Sequence, residues 1–202
     1  MLGTLLSTFI FGFSIYILGA IGASYSFSLP ESLVFGSLIS ATDPVSTLSV
    51  FAELGVDPVL FALLFAESVL NDTVAIVLFK TFEKFIGSQH NTASVFYILG
   101  DFVYIFLGST ILGLLCGMLP SLVTKRSPWL QHHLSLELGF FLIAAYAPFL
   151  LAEMVHLSGI VCILFAGISM KHYASNNLSA AAKVQANGIF EVFTFLAETA
   201  VF

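Results

Sequence analysis

Thr42-Asp43-Pro44-Val45 and, further on, Glu67-Ser68-Val69-Leu70-Asn71-Asp72 set three carboxylates, a carboxamide and a proline inside two long apolar runs. Ionisable side chains away from water are costly unless something compensates them. These two stretches therefore decide what kind of chain this is.

Composition gives the surroundings. The chain has 202 residues, 58% hydrophobic and 9% charged, with a mean hydropathy of +1.03. A soluble domain carries about 25% charged residues, so there is too little polar surface here to coat a soluble globule. Apolar runs recur at the length needed to cross a bilayer as helices. They are continuous, without the period-two alternation of a barrel. The fold class expected is an all-α polytopic membrane protein in a lipid bilayer. The formal charge of −6 comes partly from acids inside the apolar runs, and no basic tract points to nucleic acid. Cys116 and Cys162 lie within expected spans and read as inert buried thiols.

Seven spans are expected, at 1–23, 30–54, 59–79, 95–123, 136–153, 158–170 and 188–202. The first contains Gly3, Gly12, Gly19 and Gly22, small residues that let helices approach closely. Pro30-Glu31 opens the second span with a proline and an acid in the first turn. Asp43-Pro44 lies near its middle, where proline removes a backbone donor and breaks the helix. A broken helix at that depth is tolerated only when buried in protein or lining a wet cavity. Gly55-Val56-Asp57-Pro58 makes a tight turn, so spans two and three are antiparallel neighbours with Asp43 and Asp72 at similar depth. Glu153 to Ser158 is the corner between spans five and six. Residues 171–187 read as a polar loop, and span seven begins near Gly188. The loops bearing Lys125, Arg126, Lys171 and Lys183 fall on one side and Lys80 and Lys84 on the other. The excess predicts that the first side is cytoplasmic. Both ends of the chain, at Met1 and Phe202, read as cuts.

Glu67 and Asn71 share one face of span three, and Asp72 is turned from Asn71 by about 100°. An Asp at the bilayer centre costs about 2.5–3.5 kcal/mol on insertion scales, which a bound proton or cation offsets. Hard monovalent cations suit oxygen ligands, available from Asp72, the Asn71 carbonyl, the hydroxyl of Thr42 or Thr47, and carbonyls freed by Pro44. Burial favours the protonated carboxyl and a nearby cation the ionised one. One buried Asp can thus hold either a proton or a cation, and competition at a site of alternating exposure suffices for exchange. Asp72 is assigned to function. Asp43 has two readings, an ion ligand or a cap on the freed helix end. Glu67 reads first as a structural acid, as do Glu137, Glu153, Glu191 and Glu198. No paired metal motif, nucleophile triad or phosphate loop appears, so neither an enzyme nor a cofactor is expected.

At these residues the chain resembles the sodium/proton exchangers of the monovalent cation:proton antiporter family. "SATDPVSTLSVF" (40–51) is similar to the family's proline-broken helix. "FAESVLNDTVAIVL" (65–78) is similar to its Phe-Gly-Glu-Ser-x-Leu-Asn-Asp-Ala helix, with Ala66 in place of Gly and Thr73 in place of Ala. "LSGIVCILFAGISMKHYASNNLS" (157–179) and "FLAETAVF" (195–202) resemble later segments, closest to the endosomal and Golgi branch. The resemblance implies part of an inverted-repeat fold with two crossing broken helices, a homodimer, and Na+ or K+ and H+ as substrates. It implies that Asp72 is the shared cation/proton carboxylate, holding no metal other than the transported Na+ or K+, with Asn71 as its neighbour; Asp72, Asn71 and Asp43 make up the expected cation- and proton-binding set. Thr42, Pro44, Glu67 and Ser68 then support the site, Glu67 by pairing with an Arg on a later helix. An Asn-Asp pair is associated in this family with electroneutral exchange. The expected location is an endomembrane of Golgi, endosome or vacuole, and the role pH and cation balance. Two other readings stand beside it: a non-transporting membrane segment or regulatory subunit of an exchanger, and a cation channel.

Overall fold

The computed structural model describes residues 2–41, 50–51, 54–86 and 94–201. Thr42, Asp43, Pro44 and Thr47 lie outside the described residues. Every regular element among the described residues is helical. In order these are α1 (Leu2–Ala20), α2 (Leu29–Ser40), α3 (Pro58–Glu83), α4 (Ser94–Arg126), the short α5 (Pro128–Gln131), α6 (Leu134–Met154), α7 (Gly159–Ser169) and α8 (Ala180–Val201). By length and composition α1, α3, α4 from Tyr97 onward and α6 are each able to cross a membrane, and α2 is a shorter apolar helix. The all-α membrane fold expected from composition is the one observed.

The chain divides into two compact units, Met1–Phe106 and Leu107–Phe202. In the first, α1 and α2 are antiparallel and nearly touch backbone to backbone. A Cβ added at Gly12 would lie 2.9 Å from the Leu33 side chain and 3.2 Å from the Ser32 carbonyl oxygen. One added at Gly36 would collide with the Thr8 carbonyl and come within 2.8 Å of the Gly12 nitrogen. Of the four glycines in the first span, Gly12 and Gly19 face such close neighbours and Gly3 faces none. Gly22 has a φ of 81° and ends α1. There the Ala23 N–H reaches the Leu18 carbonyl at 3.0 Å and the Gly22 N–H reaches Gly19 at 3.1 Å, a left-handed C-terminal cap.

Helix α2 starts where an acid can serve its first turn. The Glu31 carboxylate accepts from the Ser28 N–H at 2.7 Å and from the Ser28 hydroxyl at 2.8 Å. At the start of α3 the Asp57 carboxylate accepts from the Val59 N–H at 2.7 Å, with Pro58 in the first turn. Leu33 packs with Val74, Leu78 and Phe82, joined by Leu5, Ile98, Phe102 and Phe106. The early part of α2 thus meets the late part of α3, and the two run antiparallel. Lys84 and Asp101 form an ion pair at 2.8 Å beyond the end of α3; with the lysine half exposed it contributes at most about 1 kcal/mol.

In the second unit, Gly113 and Gly117 give α7 a flat face of α4 to lie on. A Cβ at Gly113 would collide with the Cys162 carbonyl, and one at Gly117 would lie 2.6 Å from that of Ala166. Helices α6 and α7 are joined by a turn in which His156 takes a φ of 59°. The Leu157 N–H bonds to the Ala152 carbonyl at 2.9 Å and that of His156 to Glu153 at 3.2 Å. Leu157 and Ala152 also share a buried cluster, the apolar contact that accompanies this cap.

One expectation is corrected. Residues 171–187 do not form an open polar loop. A wider helical turn at Met170–Ala174 and a tighter one at Ser175–Asn177 extend α7, and α8 begins at Ala180 rather than near Gly188. The cause is local. The Ser179 hydroxyl accepts from the Ala182 N–H at 3.2 Å, and the run Ala180-Ala181-Ala182 has the highest helix propensity of any residue type. Asn177 fastens the preceding turn to α4 through Ser121 Oγ at 2.8 Å.

Candidate functional site

Asn71 and Asp72 sit side by side on α3, both half-buried, just before its buried stretch Thr73-Val74-Ala75. Thr73, where the family pattern has Ala, is buried and turns its hydroxyl onto the Val69 carbonyl at 2.6 Å. This bond satisfies the hydroxyl within its own helix. Ser68 is half-buried and Glu67 is exposed on the surface of the described chain. Asp43, Thr42 and Pro44 are outside the described residues, so the expected approach of Asp43 to Asp72 is not among the contacts here.

One hold on Asn71 comes from α1. The Thr4 hydroxyl donates to Asn71 Oδ1 at 2.9 Å, across 67 residues of sequence. Phe9 of α1 meets Phe82 of α3 edge to face with ring centroids 6.3 Å apart. The order of these two contacts shows that α1 and α3 run parallel, with α2 antiparallel to both. The polar thread continues inward. Thr8 Oγ1 bonds to the Thr4 carbonyl at 2.8 Å and lies 2.8 Å from Ser40 Oγ. Ser40 in turn reaches the Ser37 carbonyl at 2.8 Å. Thr4 and Ser40 are each 4% exposed, and Thr8 and Ser37 are fully buried.

Each hydroxyl has one proton to give. If Thr8 donates to Thr4, Ser40 donates to Thr8. If Thr8 donates to Ser40, Ser40 donates to Ser37. The heavy-atom positions accommodate both. This thread links the amide beside Asp72 to the last residue of α2, where the chain enters Thr42-Asp43-Pro44.

Thr4, Thr8 and Ser40 were not among the residues singled out from the sequence. The signal that finds them is the spacing Thr4, Thr8, Gly12, which puts two hydroxyls and a close-contact glycine on one face of α1; these are its buried residues, with Gly19. Among the described residues, no group of three or more His, Cys, Asp or Glu side chains gathers to hold a metal ion. Two of the other acids assigned to structure, Glu137 and Glu153, have visible tasks. Glu137 is fully buried and accepts from the Ser179 N–H and hydroxyl at 2.8 and 2.6 Å. Glu153 accepts from the Gly159 N–H at 2.9 Å. Each carboxylate thereby sits at the positive end of the helix that follows.

Comparison with known proteins agrees with the resemblance seen in the motifs. The family described as "Sodium/hydrogen exchanger, transmembrane" matches residues 1–202. Sodium/hydrogen exchanger 8 of Gallus gallus is 44% identical over 204 residues, covering 99% of this chain and 35% of that protein. The exchanger 8 of Homo sapiens is 43% identical with the same coverage. Sodium/hydrogen exchanger 9 of Rattus norvegicus is 40% identical over 213 residues, covering 100% of this chain and 33% of its own length. The chain spans about a third of the length of these relatives. By its match along all 202 residues, the chain belongs to the sodium/hydrogen exchanger transmembrane family.

Proposed function

We propose that this chain carries the ion-exchanging carboxylate of a secondary antiporter that moves Na+ or K+ against H+. Asp72 is its shared site: protonated, it is neutral and stable at depth; ionised, it holds the cation. The two occupants compete, so loading one releases the other. Alternating exposure of that single site to the two sides of the membrane makes the exchange obligatory. Asn71 stands next to it as a hydrogen-bonding group, Asp43 is assigned to the same binding set, and Thr42, Pro44 and Ser68 are assigned supporting roles. Glu67, on the exposed face of α3, is the acid that pairs with a basic side chain of a further helix.

The observation that carries this reading is the Asn71-Asp72 pair held half-buried in a membrane helix, with Asn71 bonded to Thr4 on a second helix. Acids of this kind mark ion and proton pathways. The names of the exchanger 8 and exchanger 9 relatives give the ion class, sodium and hydrogen. The protein works as a homodimer in endomembranes of the Golgi and endosome type, where it sets luminal pH and cation content.

The test is cation-driven proton flux in vesicles containing an exchanger that carries this sequence. Asp72→Asn abolishes flux in both directions. Full activity in that variant overturns the assignment. Flux that saturates with cation and follows the pH gradient supports an exchanger, whereas voltage-driven current without proton coupling supports a channel.

A further inference from the structure

A cleft of about 400 Å³ lies among α6, α7 and α8 in the second unit, and its lining is of two kinds. Lys171, Lys183 and Asn187 supply polar groups, while Phe141, Ile163 and Phe190 supply apolar wall. Lys171 sits in the turn that extends α7, and Lys183 in the first turn of α8. The three apolar residues each lie about two helical turns further from this end of the unit. Cations therefore stand at the level of the helix ends, and the apolar wall runs inward from them. Neither lysine has an ion-pair partner among the described residues.

The charge around the cleft is one-sided. Asn177 donates to Ser121 of α4, and the Ser121 hydroxyl reaches the Tyr173 carbonyl. These bonds bring the last turn of α4, with Lys125 and Arg126, to the same end. Two acids lie near it. Glu137 is buried and engaged by Ser179, and Glu191 lines the adjoining cavity. Four cations against two carboxylates leave this end positive. The excess of basic residues on this side predicts that it faces the cytoplasm. The cytoplasmic leaflet carries anionic lipids, and basic pockets between spanning helices hold their head groups.

We propose that this cleft binds one anionic glycerophospholipid, with its phosphate at Lys171 and Lys183 and the first part of an acyl chain along Phe141, Ile163 and Phe190. The two kinds of lining select this class together. A soluble phosphate satisfies the lysines and leaves the aromatic wall bare. A zwitterionic lipid covers the wall but brings its own ammonium to a site that is already cationic. The lysine stems lie along apolar surface while their ammonium groups stay at the head-group level. The Asn187 amide adds a donor for phosphate or glycerol oxygens. The bound lipid ties α7 to α8, and the site shares no residue with the Asn71-Asp72 pair.

The test uses an exchanger that carries this sequence, purified in neutral detergent. Binding is read by native mass spectrometry and by the rise in unfolding temperature on titration. The probes are dioleoyl phosphatidylglycerol, whose head group adds no cation, dioleoyl phosphatidylcholine and glycerol phosphate. Phosphatidylglycerol is expected to bind and to raise the unfolding temperature, with the other two weaker by at least about tenfold. Lys171→Gln and Lys183→Gln each weaken its binding by about fivefold, and the double variant by roughly twentyfold. Lys183→Arg retains the parent affinity. So does Lys125→Gln, at the same end but outside the cleft. The proposal is overturned if phosphatidylcholine binds as tightly, or if glycerol phosphate does, which marks a site for a soluble anion. It is also overturned if the double variant keeps the parent affinity, or if Lys125→Gln loses as much as Lys171→Gln, which marks a diffuse basic surface.

Discussion

Glu137 receives both hydrogen bonds that Ser179 can offer, the N–H at 2.8 Å and the hydroxyl at 2.6 Å, and is itself fully buried. Ser179 is the residue before α8, and its hydroxyl also accepts from Ala182. Glu137→Ala leaves the half-buried Ser179 N–H without its acceptor and removes the carboxylate from the positive end of α8. The expected loss is about 1–3 kcal/mol of stability. Glu137→Gln retains one acceptor oxygen and loses less. Thermal unfolding in detergent checks both, and equal stability of Glu137→Ala and the parent refutes the assignment.

Gly36→Ala is expected to destabilise the first unit by about 1–3 kcal/mol, because the added methyl has only backbone to displace. It would meet the Thr8 carbonyl and the Gly12 nitrogen. Gly3→Ala is the control, since nothing lies within 4 Å of its Cβ position. A fall in unfolding temperature for Gly36→Ala but not for Gly3→Ala is the expected pair of results.

His156 occupies the left-handed position that ends α6, with a φ of 59°. A non-glycine residue pays about 1–2 kcal/mol there. His156→Gly is therefore expected to raise stability by about 1 kcal/mol. His156→Val, branched at Cβ, should lower it by a similar amount. Cation exchange is expected to be unchanged in the glycine variant, and the unfolding temperature measures the gain.

Asn71→Asp places a second carboxylate where Thr4 now donates to an amide oxygen. The hydroxyl still has an acceptor, so the helix contact survives. The site gains a charge, and exchange is expected to become electrogenic. A voltage-sensitive dye in potassium-clamped vesicles reads this directly. Exchange that remains active and moves no charge would falsify the idea that the amide keeps transport neutral.

The membrane fold was legible because it rests on local properties. Apolar runs long enough to span, and the helix start at Pro30-Glu31, read correctly from neighbouring residues. The Asn71-Asp72 pair was legible because polar groups stand out on an apolar background. Its partner Thr4 was not. The spacing of Thr4, Thr8 and Gly12 marks the packed face of α1, but nothing in α1 alone names Asn71, 67 residues on, as the acceptor. The start of α8 was misread for the opposite reason. Polar residues between apolar runs looked like a loop, while Ser179 and three alanines specify a helix. The reach of Glu137 to Ser179 spans 42 residues and has no local trace.

The contact at Gly12 and Gly36 also has a kinematic consequence. Between these two positions there is no side chain to act as a bearing, and the ridge of one backbone lies in the groove of the other. Sliding α1 along α2 first requires lifting them apart. Thr4 fastens α1 to α3 as well, so α1 is tied to both of its neighbours.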